Sequence, residues 1–114
     1  MIKSVILWNL PENMTAEEFE KRYFGEHVPL MQRRPGVAKY VVTKFLPAPD
    51  GTQPKYYRMA EVWYEDLASM EKARASNVAN IARQQMKDWG WRDVLSMSYS
   101  EETELPLDAV REGE

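Results

Sequence analysis

The two segments of this chain that read most clearly as β-strands are apolar on both of their faces. In residues 2–8, IKSVILW, the side chains of Ile2, Ile6 and Trp8 fall on one side of an extended backbone while Val5 and Leu7 fall on the other. Residues 57–65, YRMAEVWYE, divide Ala60, Val62 and Tyr64 from Met59 and Trp63 in the same way. An antiparallel sheet with one solvated face shows apolar and polar residues in alternation. A sheet made from these strands needs cover on both faces, and two helices cover only one. The side left open is an apolar patch of the kind that marks an interface, so a homodimer packed sheet on sheet is expected.

The remaining elements fall into place around those strands. The first strand stops at Asn9-Leu10-Pro11. Thr15 is placed to cap a helix, with Glu18 three residues later to close a capping box and Met14 against Phe19 as a hydrophobic staple. That helix presents Phe19, Tyr23, His27 and Leu30 on one face. Pro29 has no N–H to give the carbonyl of Gly25, so the helix is expected to end or bend near His27. Pro35-Gly36 makes a turn before a strand at 37–45, and the turn-rich loop 46–55 leads to the strand at 57–65. Asp66 caps the next helix, and after Ser76-Asn77 a second periodic segment places Val78, Ile81, Ala82, Gln85, Met86 and Trp89 on one face. Gly90 stops it, and residues 93–99, DVLSMSY, form the last strand.

The order βαββαβ defines an α+β chain of ferredoxin-like type, a four-stranded antiparallel sheet with its helices on one face. Residues 1–101 are expected to form the domain and 102–114 an acidic C-terminal tail.

Composition removes several classes of function. There is no cysteine, so disulfides, thiolate nucleophiles and cysteine-based zinc sites are excluded, and the single histidine excludes a multi-histidine metal site. The net charge is −3, and residues 101–114 concentrate six acids against Arg111. The rest of the chain is nearly balanced, and its short basic run Gln32-Arg33-Arg34 has no interleaved aromatics, so no nucleic-acid partner is expected. No apolar run approaches the roughly 20 residues of a membrane span, and the N-terminus lacks an Ala-x-Ala-like cleavage site. A cytoplasmic protein with no membrane partner is the expectation.

The stretch FEKRYFGEHVPLMQRRPGVAKYVV resembles the signature of EthD-type proteins, in which an aromatic-rich first helix runs into His-x-Pro-Leu and then a Gly that opens the second strand. AEVWYEDLASM is similar to the family's third strand and helix start, and the likeness extends over roughly residues 2–101. The matching positions are Tyr23, His27, Pro29 and Leu30. The family belongs to the dimeric α+β barrels, so the resemblance implies a homodimer, with a pocket between helices and sheet in each subunit for a small aromatic or lactone-like ligand. It implies a cofactor-independent lyase, cyclase or isomerase with His27 as general acid or base. The alternatives are a cofactor-free monooxygenase of the same fold and a non-catalytic small-ligand-binding protein. Haem is the alternative cofactor, with His27 its one available histidine.

The residues themselves leave two readings at most positions. His27 is either a helix-end histidine that bonds the last carbonyls or a pocket acid or base, since an imidazole titrates near neutral pH. Tyr23 either donates to a developing oxyanion or is a core aromatic, and Phe19 shares its face. If Ser4, Ile6 and Trp8 face the pocket, Ser96 and Ser98 on the neighbouring strand add hydroxyls there; otherwise that face lies near solvent at the sheet edge. Asn80 falls where the second helix breaks, a place for a pocket-lining amide. The loop 46–55 is either a lid or an ordinary hairpin loop.

Overall fold

In the computed structural model, which describes residues 1–110, strand β1 (Ile2–Trp8) is paired along both edges. One neighbour is β3 (Arg58–Tyr64), in register from Ile2 opposite Tyr64 to Trp8 opposite Arg58. The other is β4 (Leu95–Glu101), from Ile2 opposite Glu101 to Trp8 opposite Leu95. Strand β2 (Val37–Lys44) pairs with β3, giving the antiparallel order β2-β3-β1-β4. This is the expected ferredoxin-like sheet, with the most apolar strands at its centre. The last residues of the expected acidic tail, 111–114, lie outside the described residues.

Helix α1 (Ala16–Arg22) starts as its capping residues dictate. The Thr15 hydroxyl accepts from the Glu18 backbone N–H at 3.2 Å, and Met14 and Phe19 are buried in the same aromatic cluster. Its far end departs from expectation. Tyr23–His27 form a π turn, in which the Val28 N–H bonds to the Tyr23 carbonyl, and helix α2 (Val28–Gln32) continues beyond it. His27 is therefore inside a continuous helical segment and not at a C-terminus. The cause is Pro29: the widened turn restarts the helix so that the residue without an N–H falls in a first turn, where no donor is needed. The extra residue also resets the buried face to every fourth position, Phe19, Tyr23, His27 and Met31, leaving Leu30 only half-buried.

The second helical region is two helices, each capped by a side chain. Asp66 accepts from the Ser69 N–H at the start of α3 (Leu67–Arg74), and Ser76 from the Ala79 N–H at the start of α4 (Asn77–Asp88). Gly90 stops α4 with φ of 70°. A 3₁₀ turn over Trp91–Val94 follows, so β4 begins at Leu95 rather than at residue 93 and runs on to Glu101.

Pairing fixes which side chains share a face. Ser4, Ile6 and Trp8 stand with Val62, Ala60 and Arg58 on one side and with Tyr99, Met97 and Leu95 on the other. Ser96 and Ser98 pair with Leu7 and Val5, so they belong to the opposite face of the sheet, contrary to the expectation that they join Ser4.

Two clusters fill the space under the helices. Trp8, Met14, Phe19, Tyr23, Ala60, Trp89 and Trp91 form one; Met31, Val62, Tyr64, Met70, Ala73 and Ala82 form the other. The far face of the sheet is more mixed than its pattern promised. Half-buried Val5, Leu7, Val41 and Met59 surround an ion pair between Lys3 and Glu61 at 2.8 Å, and Trp63 lies beneath the ammonium groups of Lys3 and Lys39. No helix among the described residues is long and apolar enough to cross a membrane.

Two substitutions test this architecture by urea unfolding. Thr15→Ala removes one cap bond and should cost about 1 kcal/mol. Phe19→Ala, which empties a fully buried site between Trp8 and Tyr23, should cost about 3–5 kcal/mol.

Candidate active site

Between the sheet and α4, three alanines face a common space. Ala60 on β3 and Ala79 and Ala82 on α4 are all buried, and none carries a side chain long enough to reach across. The result is a cavity of about 260 Å³, lined also by Ile6, Trp8, Tyr23, His27, Tyr40 and Trp91. The volume suits a small ring compound. Met97 and Tyr99 of β4, each nearly half exposed, also line it and mark its open side.

His27 is 5% exposed and wedged among rings. Tyr23 stacks on it with centroids 5.6 Å apart, and Trp91 meets it edge-on at 4.7 Å. Its Nδ1 lies 3.1 Å from Gln85 Oε1 on α4. An amide oxygen only accepts, so Nδ1 carries the proton and Nε2 is left as the basic lone pair. Burial drives the imidazole pKa down from 6.5 to about 4; the Gln85 bond opposes this, and the positive charge of Arg34 adds to it. Burial thus favours the neutral imidazole at pH 7, and His27 stands inside a helical segment rather than at a helix end.

Tyr23 has no exposed surface, and its hydroxyl reaches the hydroxyl of Tyr40 at 3.5 Å. Burial, and then the neighbouring Tyr40, hold its phenol protonated far above the ordinary range. Tyr40 is the more open of the two and lines the same cavity.

Of the side chains expected at the ligand, Ile6, Trp8, Tyr23 and His27 line the cavity. Five do not. Phe19 is fully buried in the aromatic cluster, stacked on Tyr23. Ser4 faces the helices but pairs with Val62, where the second cluster fills the space. Asn80 is exposed and accepts from Arg83; the lining residues of α4, Ala79, Ala82, Arg83 and Met86, form a helical stripe that passes beside it. Ser96 and Ser98 are on the other side of the sheet, their places taken by Leu95, Met97 and Tyr99. The loop 46–55 contributes no lining residue and closes on itself through an Ala48 N–H to Thr52 O bond.

Among the residues missed from sequence are Tyr40, Gln85 and the arginines Arg34, Arg74, Arg83 and Arg92. Gln85 had a signal: it is the polar residue on an otherwise apolar helix face. Arginines leave none, because their long side chains reach the cavity from backbone positions that read as surface.

A four-stranded antiparallel sheet in the order β2-β3-β1-β4, with a cavity beneath its helices, defines the ferredoxin-like α+β class. Within that class the chain belongs to the EthD domain family, whose profile matches residues 11–87. An uncharacterized 11.0 kDa protein of Rhodococcus erythropolis, from the thcB-thcC intergenic region, is 30% identical over 106 residues, covering 93% of this chain and all of the relative. The crystal structure of an EthD-family protein from Bacillus halodurans superposes with a TM-score of 0.77 at 30% identity, covering 90% of this chain and 99% of the other. At 13% identity, a mutant of SnoaB from Streptomyces nogalater, a cofactor-independent oxygenase, shares the fold with a TM-score of 0.63, covering 91% and 94% of the two chains.

The burial of His27 makes stability depend on pH. The folded chain takes up this proton near pH 4 and the unfolded chain near 6.5, so the unfolded state binds more protons between those values. Stability should fall as pH drops from 6.5 towards 4, by on the order of 3 kcal/mol from this group, and then level off. Urea unfolding of the wild type and of His27→Gln across that window isolates the effect, because other titrating groups are common to both. A constant gap between the two curves would mean that His27 titrates as it does in the unfolded chain.

Proposed function

We propose that this chain is a cofactor-independent enzyme in which His27 Nε2 takes a proton from a small aromatic or lactone-like substrate and returns it at another atom. The observation that carries this reading is one buried, neutral imidazole at a cavity wall, with its tautomer fixed by Gln85. A neutral histidine begins as the base, and the imidazolium it becomes is the acid for the second transfer. That sequence suits a lyase, cyclase or isomerase. Tyr40, lining the cavity and backed by Tyr23, donates to the oxygen on which negative charge develops. The fully buried Tyr23 acts through Tyr40 and positions it.

The same deprotonation would leave an electron-rich carbanion, the species that reacts with dioxygen without a cofactor. The shared fold of the oxygenase SnoaB keeps monooxygenation as the second reading. A third, a non-catalytic carrier, uses the cavity and gives His27 no proton to move.

One experiment separates the three. An enolisable cyclic keto-lactone is incubated with the protein in deuterated water under air, and NMR follows exchange of its C–H while an electrode follows oxygen. Catalysed exchange that falls about 100-fold or more in His27→Ala, with ligand binding retained, supports the base. Oxygen uptake in step with substrate loss supports the monooxygenase, and binding with neither supports the carrier.

The functional unit in this reading is a homodimer joined through the sheet face that bears Val5, Leu7, Val41 and Met59. Sedimentation should give a dimer for the wild type and a folded monomer for Leu7→Glu. A monomeric wild type at all concentrations would remove the dimer from the proposal.

A further inference from the structure

The cavity wall carries charge of one sign. Arg34, Arg74, Arg83 and Arg92 all line it, and no lining residue is acidic, although the chain holds 18 Asp and Glu against 15 Lys and Arg. Arg74 is paired with Glu71 at 3.2 Å and lies over the Tyr99 ring. The other three have no carboxylate partner among the described residues. Arg83 spends its Nη2 on the Arg74 carbonyl and on Asn80, which fix the side chain without neutralising it. Arg34 is the least satisfied: its Nη1 reaches only the Met31 sulfur at 4.0 Å, and its Nε is shut off from solvent with no acceptor. A guanidinium N–H closed off from water with no acceptor is costly.

A surface arginine is ordinarily no more than a solvated charge. Here three features depart from that: a shared cavity, the absence of any acid from its wall, and a buried donor left open on Arg34. Arginine forks match carboxylates in charge and in planar geometry. We propose that the cavity takes an anionic ligand, a ring compound bearing a carboxylate, with the ring against Trp8, Trp91 and Ile6 and the carboxylate towards Arg34, Arg83 and Arg92. This rests on the small-molecule reading above and adds the charge of the substrate to it. It gives the site a division of labour. The arginines hold a group that does not react, which leaves Nε2 of His27 and the Tyr40 hydroxyl for the part of the ring that does.

The test uses a matched pair of probes, 2-naphthoate and its neutral counterpart 2-naphthamide, titrated against the intact chain with quenching of tryptophan emission as the signal. Naphthoate should bind at least tenfold more tightly than the amide, and added salt should narrow the gap. The preference should shrink several-fold in Arg34→Gln and in Arg92→Gln; Arg92 is exposed, so its replacement tests charge even where Arg34→Gln disturbs the packing near Met31. Equal binding of acid and amide, or a preference that survives in both variants, overturns the charge inference and leaves the small-molecule cavity standing. Binding of neither probe overturns both.

Discussion

A helix that must pass a proline arranges everything else in this molecule. Pro29 cannot complete the hydrogen-bond ladder, and the chain meets this by opening one turn over Tyr23–His27 and starting again at Val28. Without the extra residue, a helix of regular pitch would carry its buried stripe from Phe19 and Tyr23 round towards Leu30 and away from Met31. With it, Phe19, Tyr23, His27 and Met31 line up, and three rings stack in succession against Trp8 and Trp91. The imidazole is held there by neighbours on three elements, the widened turn, α4 and the 3₁₀ turn, which makes its orientation a property of the whole fold.

Much of this architecture was legible in the sequence, and the reasons are local. Thr15 and Asp66 have side chains that bond backbone N–H groups three residues on, and each begins a helix where its type says it should. Gly90 supplies the left-handed turn that only glycine adopts without strain. Strands with two apolar faces take the middle of the sheet. Legibility ends where an outcome depends on pairing. Whether Ser96 or Met97 faces the helices is decided by the register between β4 and β1, and one residue reverses it. The alternation in LSMSYS nevertheless carried the answer: Leu95, Met97 and Tyr99 form the apolar set, and that set turns inward. The π turn was half legible, since Pro29 announced a disturbance without saying that the helix would survive it.

The candidate site shows the same limit. His27, Tyr23, Ile6 and Trp8 were found because the aromatic helix and the first strand announce themselves. The space they face comes from what is missing, the side chains that Ala60, Ala79 and Ala82 do not have, and three small residues distant in sequence signal nothing until they are brought opposite one another. The same burial that seals these walls takes the charge from His27, while four arginines line the cavity with no acidic residue in its wall. Apolar packing and uncompensated charge are thus set side by side in one small volume.

The first residue beyond the last strand gives this arrangement a fastening. Glu102 leaves β4, accepts from the indole N–H of Trp63 on β3 and meets the Lys3 ammonium of β1 at 3.4 Å. It works as a pawl across three strands: the edge strand, which has a neighbour on one side only, cannot slide by a residue without tearing it free. A slip of that size would turn Ser96 and Ser98 towards the cavity and carry Met97 and Tyr99 out to solvent. The register that sets the shape and polarity of the cavity's open side is thus reinforced from the opposite face of the sheet, by a carboxylate that does not line the cavity.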